Sequence, residues 1–221
     1  MEFIPMLTKD DLTVKNALEI LDEIRYRNIT KIGFKNIGVD YSLMKEIVSR
    51  ARIYGLESYM EVVSTSRKEA RNSFEAGLKL GVDNLIGGTF PATMSLAVLK
   101  AGRRTGRYPF IGNVTGHPNN LSGDFERFRE DIENLEWLGA DGIDLLAFRY
   151  DSDPYALLEF VVKSTSLPVI VAGSIDSVEK IRRLKSIGVW GFTVGTAMID
   201  RSFRPGGSIA DQVDIIMEEC R

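Results

Sequence analysis

The alternation of two kinds of segment along the chain constrains its fold more than any other feature. Short apolar or β-branched runs alternate with longer segments of helical periodicity, which is typical of βα units around a parallel sheet. We expect strands at Phe3 to Leu7, Lys31 to Lys35, Ser58 to Val63, Asn84 to Gly88, Phe110 to Val114, Gly142 to Ala147, Val169 to Ala172 and Gly191 to Val194. Eight such units in 221 residues leave little room for insertions. The sequence therefore predicts an α/β protein with a single domain over residues 1–221, a closed (β/α)8 TIM barrel rather than an open doubly wound sheet.

A glycine recurs at four helix-to-strand junctions. The junctions read YGLESY, LGVDNL, LGADGI and IGVWGF, and they place Gly55, Gly81, Gly139 and Gly188 at the same point. A glycine there can take the left-handed conformation that ends a helix, so the four junctions predict four similar units. In a barrel these turns lie at the stabilising end, opposite the face that carries the chemistry.

Charge and composition exclude several classes of partner. The formal net charge is −3, and Lys and Arg are scattered among Asp and Glu, so the basic footprint of a nucleic-acid-binding protein is missing. No apolar run approaches the roughly 18 residues of a membrane span. The single cysteine, Cys220, cannot form an internal disulfide, and the chain has no signal-peptide-like start. We therefore expect a cytoplasmic protein with no nucleic-acid or membrane partner, and the sequence leaves open a homo-oligomer.

Two consecutive strand ends predict an anion site. VIVAGSID ends the seventh strand at Gly173 and Ser174, and GFTVGTAMID ends the eighth at Gly195 and Thr196 before running into a short helical turn. In barrels, the loops after strands seven and eight and a short extra helix often form a phosphate site. Glycines let the backbone come close to the anion, and free N–H groups at a helix start attract it. The alternative is that these glycines make tight turns with nothing bound.

The two ends of the chain resemble a known group of barrels. PVIVAGSIDSVEKIRRLKSIGVWGFTVGTAMID resembles the closing quarter of the ribulose-phosphate-binding barrel superfamily, which includes sugar-phosphate epimerases, histidine-biosynthesis isomerases, keto-acid phosphate aldolases and the tryptophan synthase alpha chain. FIPMLTKDDLTVKNALEILDEI is similar to the first βα unit of the alpha chain, and KIGFKNIGVD falls where that family has its second strand. The resemblance implies a barrel fold and a phosphate grip.

The chain departs from the alpha chain at the residues that carry that family's reaction. The resemblance places Lys31 where the alpha chain has a catalytic glutamate, and the acidic residue of the following loop has no clear counterpart after Asp40. Aldolases of the superfamily that use a Schiff base need a lysine on the sixth strand, and GIDLLAFRYD has none. The resemblance therefore implies the fold and the phosphate grip without the indole-glycerol-phosphate reaction.

Lys35 and Glu61 are the first candidates for catalysis. Strand residues alternate in direction, so Lys31 and Lys35 share a face, and Lys35 lies at the productive end if that face points inward. In a partly dry pocket we expect its pKa to be lowered, which suits a base, a Schiff-base nucleophile or a cation that holds an oxyanion. Glu61 ends the next strand, and the pair can move protons at a carbon beside a carbonyl. An outward Lys35, or a static ion pair, are the alternatives.

Further polar residues follow the fifth and sixth strands. Asn113 and His117, the only histidine, are expected to shape the pocket, although a loop histidine before a proline is typically a hydrogen-bonding residue. Asp144 is a third catalytic candidate or a buried polar anchor. Arg149 is expected in the pocket, within reach of a ligand carboxylate or a second phosphate.

These residues predict an enzyme that acts on a small phosphorylated, sugar-phosphate-like metabolite by proton transfer next to a carbonyl, of the isomerase, epimerase or lyase type. Neither a dinucleotide fingerprint nor a set of metal ligands is visible, so we expect no cofactor and no metal. Two alternatives stay open. One is a non-catalytic regulatory barrel that binds a phosphorylated ligand, and the other is a subunit like the tryptophan synthase alpha chain.

Overall fold

Parallel strands alternate with helices throughout the computed structural model, which describes residues 1–221. The strands are β1 (Glu2–Pro5), β2 (Thr8–Lys9), β3 (Leu12–Thr13), β4 (Lys31–Lys35), β5 (Glu57–Val62), β6 (Asn84–Gly87), β7 (Gly106–Tyr108), β8 (Asn113–Thr115), β9 (Asn120–Ser122), β10 (Ile143–Leu145), β11 (Val169–Val171) and β12 (Gly191–Val194). The α-helices are α1 (Ala17–Ile24), α2 (Tyr41–Ile53), α3 (Arg67–Leu80), α4 (Pro91–Ala101), α5 (Phe125–Trp137), α6 (Pro154–Ser164), α7 (Val178–Ile187), α8 (Thr196–Ile199) and α9 (Ile209–Cys220). A 3-10 helix, Ala147–Arg149, follows β10.

Eight of these strands form a ring in chain order. Two four-stranded parallel sheets have the orders β1-β12-β11-β10 and β4-β5-β6-β7. Parallel bridges between Met6 and Gly33 and between Phe110 and Asp144 join the sheets at both seams. The predicted TIM-barrel fold is confirmed.

Seven predicted strands overlap the observed ones to within two residues at each end, but the fifth is wrong. The fifth barrel strand is Gly106–Tyr108, and Asn113–Thr115 instead pairs antiparallel with Asn120–Ser122. Gly112, at a φ of 79°, turns the chain between the two. The apolar run from Phe110 is largely buried and pairs with the barrel only through the single bridge from Phe110 to Asp144, so its hydrophobicity indicated burial rather than a regular strand.

A hairpin that the sequence analysis did not predict occupies the loop after β1. Strands β2 and β3 pair antiparallel, with Asp10 and Asp11 at the turn in left-handed conformations, at φ of 49° and 62°. The Thr13 hydroxyl ties the hairpin to β4, since it accepts from the Lys35 N–H and donates to the Lys35 carbonyl, both at 2.8 Å. The hairpin therefore leans over the end of the barrel at which β4 finishes.

Apolar side chains fill most of the inside of the barrel and the layer between its strands and the surrounding helices. A cluster of Ile4, Met6, Tyr59, Ile86, Tyr108 and Ile170 packs inside the ring. Gly81 and Gly188 end α3 and α7 in the left-handed conformation, as the repeated junctions predict. None of the helices combines the length and apolarity that a membrane span requires.

Candidate functional site

Three ionisable side chains point into the barrel near the carboxyl ends of its strands. Lys35 and Glu61 are register partners at the ends of β4 and β5, and Asp144 lies on β10. Their exposed fractions are 6% for Lys35, 3% for Glu61 and 0% for Asp144. Lys35 thus points inward, and the alternative of an outward side chain with a solvated tip is excluded.

These side chains belong to a continuous ionic network. The Lys35 ammonium donates to a carboxylate oxygen of Asp11 and lies 3.2 Å from Oε1 of Glu61. The two terminal guanidinium nitrogens of Arg149 contact the two Asp11 oxygens, each at 3.0 Å. Such paired contacts fix both orientation and charge. The order of contacts is Glu61, Lys35, Asp11, Arg149.

The network holds Lys35 as a cation. Burial by itself lowers the pKa of Lys35, but the charges of Glu61 and Asp11 outweigh burial and raise the pKa above its ordinary value. Burial likewise raises the pKa of Asp11, and Lys35 and Arg149 outweigh it, so that the pKa is lowered. The expectation of a lowered Lys35 pKa is therefore wrong for the free protein. Lys35 suits the stabilisation of an oxyanion rather than the role of a base or a Schiff-base nucleophile.

Asp144 has the opposite character. Both of its carboxyl oxygens are buried without a well-formed hydrogen bond, and the backbone of Gly87 is the one group that lies close enough to favour the charged form through a weak one. Burial, together with the nearby charge of Glu61, raises its pKa well above the ordinary value. With Asp144 protonated, the site holds two carboxylates (Asp11 and Glu61) and two cations (Lys35 and Arg149), which balance.

We expect Asp144→Asn to stabilise the protein at neutral pH, by about 1.4 kcal/mol for each unit by which folding raises the pKa of Asp144. Because the pKa of Asp144 is raised in the folded state, the folded protein must keep a proton that the unfolded chain releases, and stability falls as pH rises above about 4. Asparagine removes this dependence. Urea unfolding of both proteins at pH 7 and at pH 4 measures the gain in stability of Asp144→Asn over the wild type. A gain that is as large at pH 4 as at pH 7 contradicts a protonated Asp144.

Sequence reasoning missed Asp11. Its carboxylate comes from the β2–β3 hairpin, whereas the only acidic partner predicted for Lys35 was Glu61. The run TKDD directly after the first strand was the available signal, because consecutive aspartates are common in turns. Nothing local in that run indicates that Asp11 is buried.

One cavity connects the ionic network with the predicted phosphate site. Its volume is about 430 Å³, and Lys35, Glu61 and Arg149 line one part of it. The predicted phosphate residues line the same cavity: Gly173, Ser174, Gly195 and Thr196. The four predicted phosphate residues and three of the predicted charged ones thus lie around one cavity, which Asp144 does not line.

Backbone amides around the predicted phosphate site are free. The N–H groups of Gly173, Ser174 and Gly195 donate to no acceptor in the protein. Those of Thr196 and Ala197 begin α8, where no intrahelical acceptor exists. A Cβ at Gly195 would lie 2.6 Å from the Thr8 carbonyl oxygen, so only glycine fits there.

Two predicted pocket residues lie elsewhere. Asn113 and His117 are exposed in the β8–β9 hairpin and do not line the cavity, so their assignment to the pocket is wrong. The cause is the misplaced fifth strand, which moves this segment out of the barrel wall. Asn119 is the residue of this loop that reaches the network, where its carbonyl accepts from Arg149 at 3.3 Å.

Lys31 lies at the opposite end of the barrel from the cavity. Its ammonium contacts Glu2 and lies 3.9 Å from Glu57, and both of these carboxylates are partly exposed. Lys31 therefore belongs to the opposite end of the barrel, and at the end that holds the cavity the inward residue of this strand is Lys35.

Comparisons with known proteins agree with the fold. No protein-family model matches the chain. A Listeria welshimeri protein provisionally named N-acetylmannosamine-6-phosphate 2-epimerase is 32% identical over 78 residues, which is 31% of this chain and 33% of the relative. The match thus spans about a third of that relative's length.

Three solved structures are similar over nearly the whole chain. Orotidine 5'-phosphate decarboxylase from Pyrococcus horikoshii has a TM-score of 0.70 at 12% identity, covering 98% of both chains. N-acetylmannosamine-6-phosphate 2-epimerase from Clostridium perfringens has a TM-score of 0.63 at 14% identity, covering 100% of this chain and 93% of the other. The tryptophan synthase alpha chain from Legionella pneumophila has a TM-score of 0.67 at 12% identity, covering 99% and 90%. The structural neighbours are ribulose-phosphate-binding barrel proteins, which confirms the resemblance at the level of fold.

Proposed function

We propose that the protein is an enzyme that acts on a small phosphorylated metabolite by proton transfer at a carbon next to a carbonyl, as isomerases, epimerases and some lyases do. One observation carries the proposal: five free backbone amides and a buried lysine–carboxylate network line the same 430 Å³ cavity. A ligand that fills the cavity contacts an anion site and proton-transfer groups together.

In this proposal the amides of Gly173, Ser174, Gly195, Thr196 and Ala197 hold the phosphate. Oriented N–H groups and the start of α8 supply partial positive charge without a competing protein acceptor. The hydroxyl of Thr196 already accepts from the Asp10 N–H at 3.0 Å, which fixes the side chain beside these amides.

The other part of the cavity supplies the chemistry. Glu61 is the carboxylate that removes the proton next to the carbonyl, and this step is worth about 10²–10⁴ in rate. The Lys35 ammonium stabilises the negative charge that then develops on the carbonyl oxygen. Asp144, a neutral acid behind Glu61, keeps a second proton in the site and limits repulsion between the two carboxyl groups.

The names of the similar proteins support this class of substrate. Two of them are described as epimerases of an N-acetylmannosamine 6-phosphate, and another as a decarboxylase of a nucleotide 5'-phosphate. Each substrate carries a phosphate. The proposal for this chain rests on its own cavity, because those likenesses are distant.

Thr196→Asp tests the phosphate grip. We expect inorganic phosphate or glycerol 3-phosphate to raise the unfolding temperature of the wild type, by an amount equivalent to about 2.7 kcal/mol at a hundred times the dissociation constant. In Thr196→Asp the new carboxylate repels the anion and abolishes the rise. Thr196→Ser is the matched control and keeps the rise. No stabilisation of the wild type at millimolar phosphate or phosphate ester contradicts the proposal.

A further inference from the structure

The ionic network also restricts what the substrate carries besides its phosphate. We infer that the remainder of the substrate is uncharged and polyhydroxylated, with no carboxylate or second phosphate. This inference rests on the proposed function, because it takes the phosphate to be held by the amides of the two glycine-rich strand ends.

Both cations of the network are already paired with carboxylates. Arg149 was expected to reach a ligand carboxylate, but both of its terminal nitrogens are engaged by Asp11 at 3.0 Å. Lys35 is likewise shared between Asp11 and Glu61. The side chains of Asp11, Lys35 and Glu61 are at least nine-tenths buried, so water screens the contacts among them little. Each cation of the network therefore already has a carboxylate partner, and neither carries an uncompensated charge for a second anion.

The balance of charge in the cavity also disfavours a second anion. The carboxylates of Asp11 and Glu61 line the cavity beside Lys35 and Arg149, so its inner part is neutral overall. A ligand carboxylate there meets two carboxylates at short range with no uncompensated cation to offset them.

The inner part of the cavity offers hydrogen-bonding groups instead of an uncompensated charge. Carboxylate oxygens accept hydrogen bonds from ligand hydroxyls, and the ammonium of Lys35 has three donors, of which the carboxylates do not require all. Thr193 is buried and lines the cavity with a further hydroxyl. Hydroxyl and carbonyl groups match this set of donors and acceptors.

The test compares two ligands that differ in one group. Glucitol 6-phosphate and 6-phosphogluconate have the same six-carbon chain and phosphate, and differ in a hydroxymethyl group against a carboxylate at the far end. Calorimetry is expected to show glucitol 6-phosphate binding about 100-fold more tightly. Asp11→Asn, which frees Arg149, is expected to narrow this ratio by about tenfold. Glu61→Gln makes the same change of charge and replaces Asp11→Asn if that variant fails to fold.

The outcomes separate the two proposals. Equal or tighter binding of 6-phosphogluconate by the wild type, or an unchanged ratio in the folded variant, overturns the inference while phosphate binding stands. If inorganic phosphate and both esters leave the protein unaffected, the proposed function fails and the inference fails with it.

Discussion

Replacing Lys35 by methionine is expected to destabilise the protein by about 3–5 kcal/mol at pH 7, the cost of breaking a buried ion pair by removing one partner. Glu61, which is only 3% exposed, then has no cation beside it, and Asp11 keeps Arg149 as its only cationic partner. The raised pKa of Lys35 means that its stabilisation is complete below the ordinary value of 10.5 and is lost only as pH rises through the higher folded value. Urea unfolding at pH 7 therefore measures the full effect.

Lys31→Met is the matched control for this variant. Lys31 lies on the same face of the same strand, but its partners Glu2 and Glu57 have side chains that are 41% and 44% exposed. Replacing Lys31 is expected to lower the free energy of unfolding by about 1 kcal/mol or less. Adding Glu61→Gln to Lys35→Met is expected to recover part of the lost stability, because it removes the carboxylate that Lys35 leaves without a cation. Equal losses in the two single variants would show that the buried network is not specially coupled.

Glu61→Gln is expected to lower proton exchange on the substrate by about 10²–10⁴-fold, the usual contribution of a general base. Wild-type protein is incubated in deuterium oxide with a panel of aldose and ketose phosphates, and deuterium at the carbon next to the carbonyl is followed by NMR. Glutamine keeps the size of the side chain and removes the base. The phosphate-dependent rise in unfolding temperature is expected to persist, because Glu61 is not part of the amide site.

Glu57→Gln is the control for the exchange experiment. Glu57 shares the inward face of β5 with Glu61 but lies at the other end of the barrel, against Lys31. The rate of deuterium exchange on the substrate in Glu57→Gln should match that of the wild type. A wild type that binds phosphate but exchanges no member of the panel would favour the non-catalytic regulatory barrel. Undiminished exchange in Glu61→Gln would remove Glu61 from the reaction.

Local pattern was sufficient for the architecture. The alternation of strand-like and helix-like segments predicted the barrel, and the glycine junctions predicted helix ends such as Gly81 and Gly188. The same local rules brought Lys35 and Glu61 to one end of the barrel. Successive strand residues alternate in direction, and parallel strands finish at the same rim, so position within a strand is enough to place a side chain there.

The fifth strand shows where local pattern was insufficient. Hydrophobicity marked the run from Phe110 as buried, but the chain turns at Gly112 and pairs Gly106–Tyr108 in the barrel instead. Which of two neighbouring segments enters the sheet depends on contacts with β6 and β10, which are distant in sequence. The exposed positions of Asn113 and His117 follow from that choice.

The sequence by itself therefore determined the barrel, the end at which Lys35 and Glu61 meet and the glycines at the ends of β11 and β12, because these depend on periodicity and strand direction. Only the tertiary structure decided the charge state of the site. Lys35 meets Asp11 across 24 residues of sequence, and Arg149 meets it across 138. Pairwise charge and burial set the pKa values, and both are properties of groups that folding brings together from separate loops.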